Sequence, residues 1–242
     1  VARHEGGFLP ILANVTGAAN RGQRNKLVVR ANNELSESTL PCGTQKIMPD
    51  GRKISKPYFD FFNYSGIQRS VWLVGTPADA ITDYSLHYEL EGAAALVYYD
   101  VEGGGDRPIR VSLVDAEGNT VARGEGRTGT LRVENVHLWQ VRNAYLYSFV
   151  IDAGEGYDCY EEKVGIRTVK IEGHHILING KPVYLKGYGK HEDSDILGRG
   201  FSWAVAKRDF ECMKWTGANC FRTSHYPYAE EWYQMADEEG FL

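Results

Sequence analysis

The stretch NCFRTSHYPYAEEWYQMADEEGFL, residues Asn219–Leu242, decides the fold of the C-terminal part of the chain. Its apolar start, Asn219–Thr223, predicts a strand, and a polar segment follows it directly. A helix is expected next, with Pro227 near its start and Gly240 at its end. Four residues share the predicted apolar face of this helix: Ala229, Trp232, Tyr233 and Ala236.

The residues just before this stretch show the same order of strand and helix. Leu185–Gly189 predicts a strand, and a helix is expected from about Trp203 to Trp215. Ser202 is a suitable N-cap for this helix, and Gly217 is a suitable stop. The apolar residues that share one face of it are Ala206, Phe210 and Met213. Two strand–helix units in succession predict a parallel sheet.

The chain before about Gly165 has a β pattern instead. Short runs rich in Val, Ile, Leu and Tyr predict strands at Lys26–Arg30, Ser70–Val74, Ala94–Asp100, Ile109–Val114, Thr130–Val133 and Leu146–Ile151. Turn signals lie between them at Asn32-Asn33, Pro49-Asp50-Gly51, Gly103-Gly104-Gly105 and Glu117-Gly118-Asn119. After this β region, Asn179-Gly180 predicts a hairpin between Ile176–Ile178 and Pro182–Leu185.

The β pattern divides at Thr76-Pro77-Ala78-Asp79, where a run of aromatic residues gives way to a new set of strands. Residues 77–165 are close in number to the roughly 100 residues of an immunoglobulin-like β-sandwich. Residues 1–76 hold too few strands to close a domain, and we interpret them as the later part of another β domain. The fold class is therefore multidomain, with β domains followed by an α/β part at 166–242.

The composition excludes several classes of protein. The 242 residues carry 27 Lys and Arg against 32 Asp and Glu, and this net charge of −5 argues against a nucleic-acid partner. Hydrophobic residues make up 43% and charged residues 24%, which excludes a disordered chain. No apolar run approaches the ~20 residues of a membrane span. The four cysteines lack metal-type spacing, and their use favours a cytoplasmic protein.

Gly124, Gly126 and Gly129 fit the G-x-G-x-x-G pattern of dinucleotide-binding loops. That interpretation requires a strand before the glycines and a helix after them. Because the β run Thr130–Val133 follows instead, the sequence favours a turn.

Polar, titratable residues follow both of the predicted parallel strands. Lys190–Asp195 follows the first strand, and Arg222–Pro227 follows the second. Adjacent strands lie about 4.8 Å apart, so we expect His191 and His225 to line one pocket. Imidazoles exchange hydrogen bonds with hydroxyl groups, and the planar guanidinium of Arg222 can hold a carboxylate.

Other interpretations of these two segments stay open. Lys190–Asp195 is also consistent with a solvated loop or a metal site, although no two of its ligand-type residues have a motif spacing. Arg222 is equally consistent with a structural ion pair. A nucleophile–base pair of Ser224 and His225 is disfavoured, because neighbouring residues at a strand end seldom face each other and no orienting acid follows.

The stretch PYFDFFNYSGI, Pro57–Ile67, concentrates five aromatic residues around one Asp and one Asn. Most of these aromatic side chains are expected to pack in a core. Asp60 is the exception, because aromatic faces pack on sugar rings while a carboxylate accepts hydrogen bonds from sugar hydroxyls. We therefore predict a sugar-binding role for Asp60.

The residues at these positions resemble glycoside hydrolase family 2. Asn219–Leu242 is similar to the first signature of that family, in which Asn, Arg, two small residues and His-Tyr-Pro precede an apolar pair, an Asp and a Gly. Four segments resemble the bacterial β-glucuronidases of the family: HEGGFLP (His4–Pro10), NNEL (Asn32–Leu35), KPYFDFFNYSGIQRSVWL (Lys56–Leu73) and GYGKHEDSDILGRGF (Gly187–Phe201). The resemblance covers essentially the whole chain.

The resemblance implies an architecture, an activity and a set of site residues. It implies the C-terminal part of a jelly-roll sugar-binding domain at 1–76, an immunoglobulin-like sandwich at 77–165, and two βα units of a (β/α)8 TIM barrel at 166–242. The implied reaction is the retaining hydrolysis of terminal β-D-glucuronides by two glutamates, with no cofactor and no metal. The implied sugar-binding residues are Asp60, His191, Arg222 and His225. A small glucuronide is the expected partner, neither nucleic acid nor membrane is, and a homo-oligomer such as a tetramer is a further expectation.

The two catalytic glutamates of the family do not map onto this sequence. The first of them stands in an Asn-Glu pair, and no such pair follows Gly165. The Asn and Lys residues that recognise the glucuronate carboxylate in the family have no counterpart either. The chain is therefore expected to be an internal piece of a longer enzyme, with both glutamates beyond Leu242, and to be inactive by itself.

Two other functions stay open on the sequence. A β-galactosidase of the same family would carry the same His-Tyr-Pro signature. A non-catalytic carbohydrate-binding module of two β domains is disfavoured, because two βα units would leave an exposed edge of parallel strands.

Overall fold

The computed structural model describes residues 1–242. In chain order, the elements are β1 (Gly43–Ile47), β2 (Lys53–Pro57), β3 (Ile81–Glu91), β4 (Ala94–Gly103), β5 (Ile109–Val114), β6 (Thr120–Glu125), β7 (Thr128–Val133), β8 (Tyr147–Ala153), β9 (Asp158–Val164), β10 (Val169–Glu172), β11 (His175–Ile178), β12 (Lys181–Pro182), β13 (Gly187–Lys190), α1 (Trp203–Trp215), β14 (Cys220–Thr223) and α2 (Glu230–Glu239). The chain forms two compact units. Unit 1 consists of Val1–Val71, Lys190–Ala206 and Thr223–Ala229, and unit 2 of Trp72–Gly189, Lys207–Arg222 and Glu230–Leu242.

Two antiparallel sheets share a hydrophobic core in unit 2. Their strand orders are β3-β4-β7 and β6-β5-β8-β9. Alternation with a period of two buries one face of each inner strand, as in β5, where Ile109, Val111 and Leu113 are buried and Arg110 is exposed. The predictions of strands at Ala94–Asp100, Ile109–Val114, Thr130–Val133 and Leu146–Ile151 are confirmed.

The glycine-rich stretch forms the connection between β6 and β7, which belong to different sheets. Gly126 has a φ of +92° in this turn, a value that favours glycine. Gly129 follows within β7, where an added Cβ would lie 2.6 Å from the Tyr99 hydroxyl. A strand and not a helix follows the glycines, so the predicted turn is confirmed.

Gly129→Ala is expected to lower the free energy of unfolding by about 1–3 kcal/mol, because the buried Tyr99 ring must shift to admit a methyl group. Thermal unfolding followed by circular dichroism measures this change. Gly7→Ala is the matched control, since nothing lies within 4 Å of a Cβ added there. Equal melting temperatures for the two variants would contradict the packing argument.

β13 and β14 form a two-stranded sheet whose strands are parallel, as the sequence predicts. The backbone N–H of Asn219 donates to the carbonyl of Lys186 at 2.8 Å, and that of Ser224 donates to the carbonyl of Lys190 at 3.1 Å. From the first of these hydrogen bonds to the second, the residue numbers rise in both strands, from Lys186 to Lys190 and from Asn219 to Ser224. The two strands are therefore parallel. Leu242 donates to the carbonyl of Asn219 at 3.0 Å, so the chain after α2 returns to the edge of β14.

Both predicted helices are present. α1 begins after Ser202, whose carbonyl accepts from the N–H of Ala206 at 2.9 Å, and its predicted face of Ala206, Phe210 and Met213 is buried. In α2, Trp232 is buried as predicted and its ring centroid lies 5.9 Å from that of Phe210. The expectation for Tyr233 is wrong, because this residue is 43% exposed. The next buried residue of α2 is Met235, three residues after Trp232.

Two predicted strands, Lys26–Arg30 and Ser70–Val74, are wrong. Neither run pairs with another strand, and their apolar side chains are largely exposed. A strand requires a hydrogen-bonding partner as well as an apolar pattern, and no segment of the chain provides one here. No helix of the structure combines the length and the apolar character that crossing a membrane would require.

Candidate functional site

Three of the predicted site residues, Asp60, His191 and His225, come together in unit 1. Nε2 of His225 lies 3.3 Å from Oδ1 of Asp60. The rings of His191 and His225 are nearly perpendicular, with centroids 5.6 Å apart. One ligand-type atom from each of the three residues lies within 4.8 Å of the others, and all three residues are exposed. We call these residues the Asp-His-His cluster.

The ends of β13 and β14 place the two histidines. His191 directly follows β13, and His225 stands two residues after β14. The Tyr228 hydroxyl donates to the carbonyl of Lys190 and also lies 3.2 Å from the carbonyl of Ser224, so it fixes both strand ends. The expectation that parallel strand ends bring His191 and His225 together is met by this geometry. The peptide bond between Ser224 and His225 is cis.

An aromatic cage holds the segment that carries Asp60. The cage consists of the Arg199 guanidinium and four rings, whose centroids lie 4.7 Å (Phe8), 5.8 Å (Phe61), 5.3 Å (Tyr64) and 4.8 Å (Tyr226) from the Arg199 Cζ. Arg199 also donates a 2.7 Å hydrogen bond to the carbonyl of Phe62. Arg199 is buried and lies eight residues after His191, while Phe61 and Tyr226 are the neighbours of Asp60 and His225. The cage therefore links the three segments that carry the Asp-His-His cluster.

A buried carboxylate lies beside the cluster. The Glu192 side chain is 1% exposed, and its Oε1 lies 3.5 Å from Nη2 of Arg69. Arg69 also donates to the carbonyls of Phe8 at 3.2 Å and Pro227 at 2.6 Å. Burial raises the pKa of Glu192, and the positive charges of Arg69 and Arg199 oppose this shift.

The pKa of Glu192 predicts a pH-dependent contribution to stability. Because the folded state raises this pKa, protonation stabilises the fold; that contribution is complete below the ordinary pKa of about 4.3 and is lost as the pH rises through the raised value. Glu192→Gln does not titrate. Its melting temperature relative to the unmodified protein should therefore increase between about pH 4 and pH 8. Thermal unfolding at a series of pH values tests this, and a difference that falls with rising pH would contradict it.

Arg222 is the one predicted site residue outside the cluster. It lies on β14, it is exposed, and it belongs to unit 2. Sequence reasoning missed Arg69 and Arg199 as supporting residues and did not single out Glu192. Both arginines lie in segments that carry the family resemblance, Lys56–Leu73 and Gly187–Phe201, but no spacing in those segments indicates a role for them, and their partners are distant in sequence. The aromatic stretch around Asp60 was the only signal that a cation would be held there.

The chemistry available to the Asp-His-His cluster is hydrogen bonding to hydroxyl groups. Asp60 supplies acceptor oxygens, and each imidazole can donate or accept. Retaining hydrolysis of a glycoside needs two carboxyl groups about 5–5.5 Å apart. The cluster holds one carboxylate, so it can bind a sugar but does not form such a pair.

Comparisons with known families match most of the chain. Residues 76–167 match the family described as "Glycosyl hydrolases family 2", and residues 169–242 match "Glycosyl hydrolases family 2, TIM barrel domain". The β-glucuronidase of Paenibacillus borealis is 44% identical over 252 residues, which cover 100% of this chain and 42% of that protein. The human β-glucuronidase is 42% identical over 261 residues and is covered to 40%.

Solved structures match over nearly the full chain. The crystal structure of Ruminococcus gnavus β-glucuronidase is 60% identical in sequence, with a TM-score of 0.92, and the match covers 99% of this chain and 41% of that one. A structure of the same R. gnavus protein in complex with D-glucaro 1,5-lactone gives the same identity of 60% and TM-score of 0.92. The chain thus spans about two fifths of the length of the relatives it matches.

Proposed function

This chain belongs to glycosyl hydrolase family 2, and on that premise we propose that the complete protein hydrolyses terminal β-D-glucuronides with retention of configuration. The observation that carries the proposal is the Asp-His-His cluster, in which three segments distant in sequence place one carboxylate and two imidazoles within 4.8 Å. These groups suit the hydroxyls of a terminal sugar. Relatives named β-glucuronidases, at 44% and 60% identity, favour glucuronic acid as that sugar.

In the proposed reaction the chain supplies recognition of the terminal sugar. Asp60 accepts hydrogen bonds from sugar hydroxyls, while His191 and His225 hold the sugar from the barrel side. Arg222 supports the pocket from β14. A pair of glutamates in the rest of the complete protein carries out the chemistry: one protonates the leaving oxygen, and the other attacks the anomeric carbon to form a glycosyl-enzyme.

The architecture that accompanies this proposal has three parts. Residues 1–76 contribute to a jelly-roll sugar-binding domain, and residues 77–165 form an immunoglobulin-like sandwich. Residues 166–242 form the first two βα units of a (β/α)8 barrel, whose active sites lie at the carboxyl ends of the strands. The positions of His191 and His225 after β13 and β14 support this assignment. We further propose that the complete protein assembles as a homo-oligomer.

Hydrolysis of p-nitrophenyl β-D-glucuronide by the complete protein tests the proposed activity. We expect a kcat/KM at least about 100-fold above that for p-nitrophenyl β-D-galactoside, because a site built for a carboxylate leaves charged groups unpaired with a neutral sugar. The isolated 242-residue chain should release no p-nitrophenol from either compound, since it lacks the glutamate pair. Faster hydrolysis of the galactoside would favour a β-galactosidase, and no hydrolysis of either by the complete protein would favour a binding module.

A further inference from the structure

We propose that Asp60, His191 and His225 also bind a divalent transition-metal ion of the zinc class. Two imidazoles and one carboxylate are the ligand types that zinc takes at sites with three protein ligands and a fourth position open to water. Mg²⁺ and Ca²⁺ prefer sites made of oxygen atoms alone, so two nitrogen ligands select against them.

The distances in the cluster suit a small tetrahedral ion. Two ligands about 2.0–2.1 Å from a tetrahedral zinc ion lie roughly 3.3–3.4 Å apart. The observed separation of Nε2 of His225 and Oδ1 of Asp60 is 3.3 Å, so this pair already has the spacing of two zinc ligands. A ligand atom of His191 lies within 4.8 Å of a ligand atom of Asp60 and of His225, so a shift of at most roughly 1.5 Å brings the three residues to tetrahedral spacing.

The surroundings of the cluster permit that shift. All three residues are exposed, and Asp60 is 78% exposed in its side chain, so a small rotation meets little resistance. The backbone that carries the ligands is held by the aromatic cage and by Tyr228. The site therefore combines adjustable side chains with fixed backbone positions.

Metal and sugar would compete for the cluster. A bound zinc ion uses the carboxylate oxygen and the ring nitrogens that the proposed function assigns to sugar hydroxyls. Zinc should therefore raise the KM for a glucuronide and leave kcat unchanged. This consequence rests on the proposed function, whereas metal binding itself does not.

Calorimetric titration of the chelator-treated complete protein with ZnCl₂ tests the site. We expect one zinc ion per chain at the cluster, and affinity at least about tenfold weaker in Asp60→Ala and in His225→Ala. His87→Ala is the matched control, because Nε2 of His87 lies 4.0 Å from Glu89 without a third ligand in that group. Its zinc affinity should be unchanged, and MgCl₂ should give no binding at the same concentrations.

If a cluster variant fails to fold, Co²⁺ absorption and its displacement by zinc test the metal site on the unmodified protein. Co²⁺ bound to the unmodified protein should show the visible absorption of a tetrahedral N/O site, and zinc should displace it. Zinc affinity that is equal in folded cluster variants and the unmodified protein would overturn the proposal, as would the absence of a tetrahedral Co²⁺ spectrum. A protein that binds zinc through the cluster but does not hydrolyse glucuronides would contradict only the proposed function.

Discussion

Replacing Asp60 by alanine in the complete protein is expected to lower kcat/KM for an aryl β-D-glucuronide by about 10- to 100-fold. A hydrogen bond between a carboxylate and a neutral hydroxyl contributes about 1.5–3 kcal/mol, and each 1.4 kcal/mol corresponds to a factor of ten. The Asp60 side chain is 78% exposed, so its removal should leave the fold intact. The loss should therefore appear in the kinetics and not in the melting temperature.

Two further variants separate this effect from a general loss of charge. Asp60→Asn keeps one acceptor oxygen and should retain more activity than Asp60→Ala. Glu37→Ala removes another exposed carboxylate of unit 1 and should leave kcat/KM unchanged. Kinetics of Asp60→Ala equal to those of the unmodified protein would remove Asp60 from the sugar site.

Arg199→Met is expected to destabilise the protein by about 2–4 kcal/mol and to lower kcat/KM at least about tenfold. The variant loses a buried cation that faces four rings and a hydrogen bond to the carbonyl of Phe62. It also removes one of the two positive charges that oppose the raised pKa of Glu192. The segment carrying Asp60 would then be less firmly placed against His225.

Arg199 is a positioning residue for the segment that carries Asp60. Its test compares a variant that keeps the positive charge of the side chain with one that loses it. Arg199→Lys keeps a cation within the cage and should recover most of the activity that Arg199→Met loses. Arg208→Met removes an exposed arginine of α1 and is the matched control, with stability within about 0.5 kcal/mol of the unmodified protein. Thermal unfolding and the separate effects on kcat and KM measure both changes. Equal behaviour of Arg199→Met and Arg208→Met would contradict the positioning role.

The sequence predicts the helices and strands whose own residues show a clear apolar periodicity. The apolar face of α1, with Ala206, Phe210 and Met213, is periodic and was predicted in full. β5 alternates strictly and was predicted with its bounds. β9 was not predicted, because five of its seven residues are exposed and polar or aromatic. It is a strand because β8 pairs with it along its whole length, which no local pattern reveals.

The residues of the site also divide into those that the sequence predicts and those that it does not. His191 and His225 were paired from the rule that parallel strand ends meet, and Asp60 from an acidic residue among aromatic ones. Arg199 was not predicted as a site residue, because an arginine in a polar loop is normally exposed to solvent. It is buried because Phe8, far away in the sequence, packs within 4.7 Å of it. The prediction placed both Trp232 and Tyr233 on the buried face of α2, because they follow Ala229 by three and four residues. Helical spacing permits either position, and the packing of the folded protein buries only Trp232.

A crystal structure of the complete protein with D-glucaro 1,5-lactone, the compound bound in an R. gnavus relative, tests the central claim most directly. The central claim is that Asp60, His191 and His225 form the part of the pocket that binds the terminal sugar. We predict lactone hydroxyl groups within about 2.5–3.2 Å of the Asp60 carboxylate and of at least one of the two imidazoles. A lactone bound away from these three residues would contradict the claim.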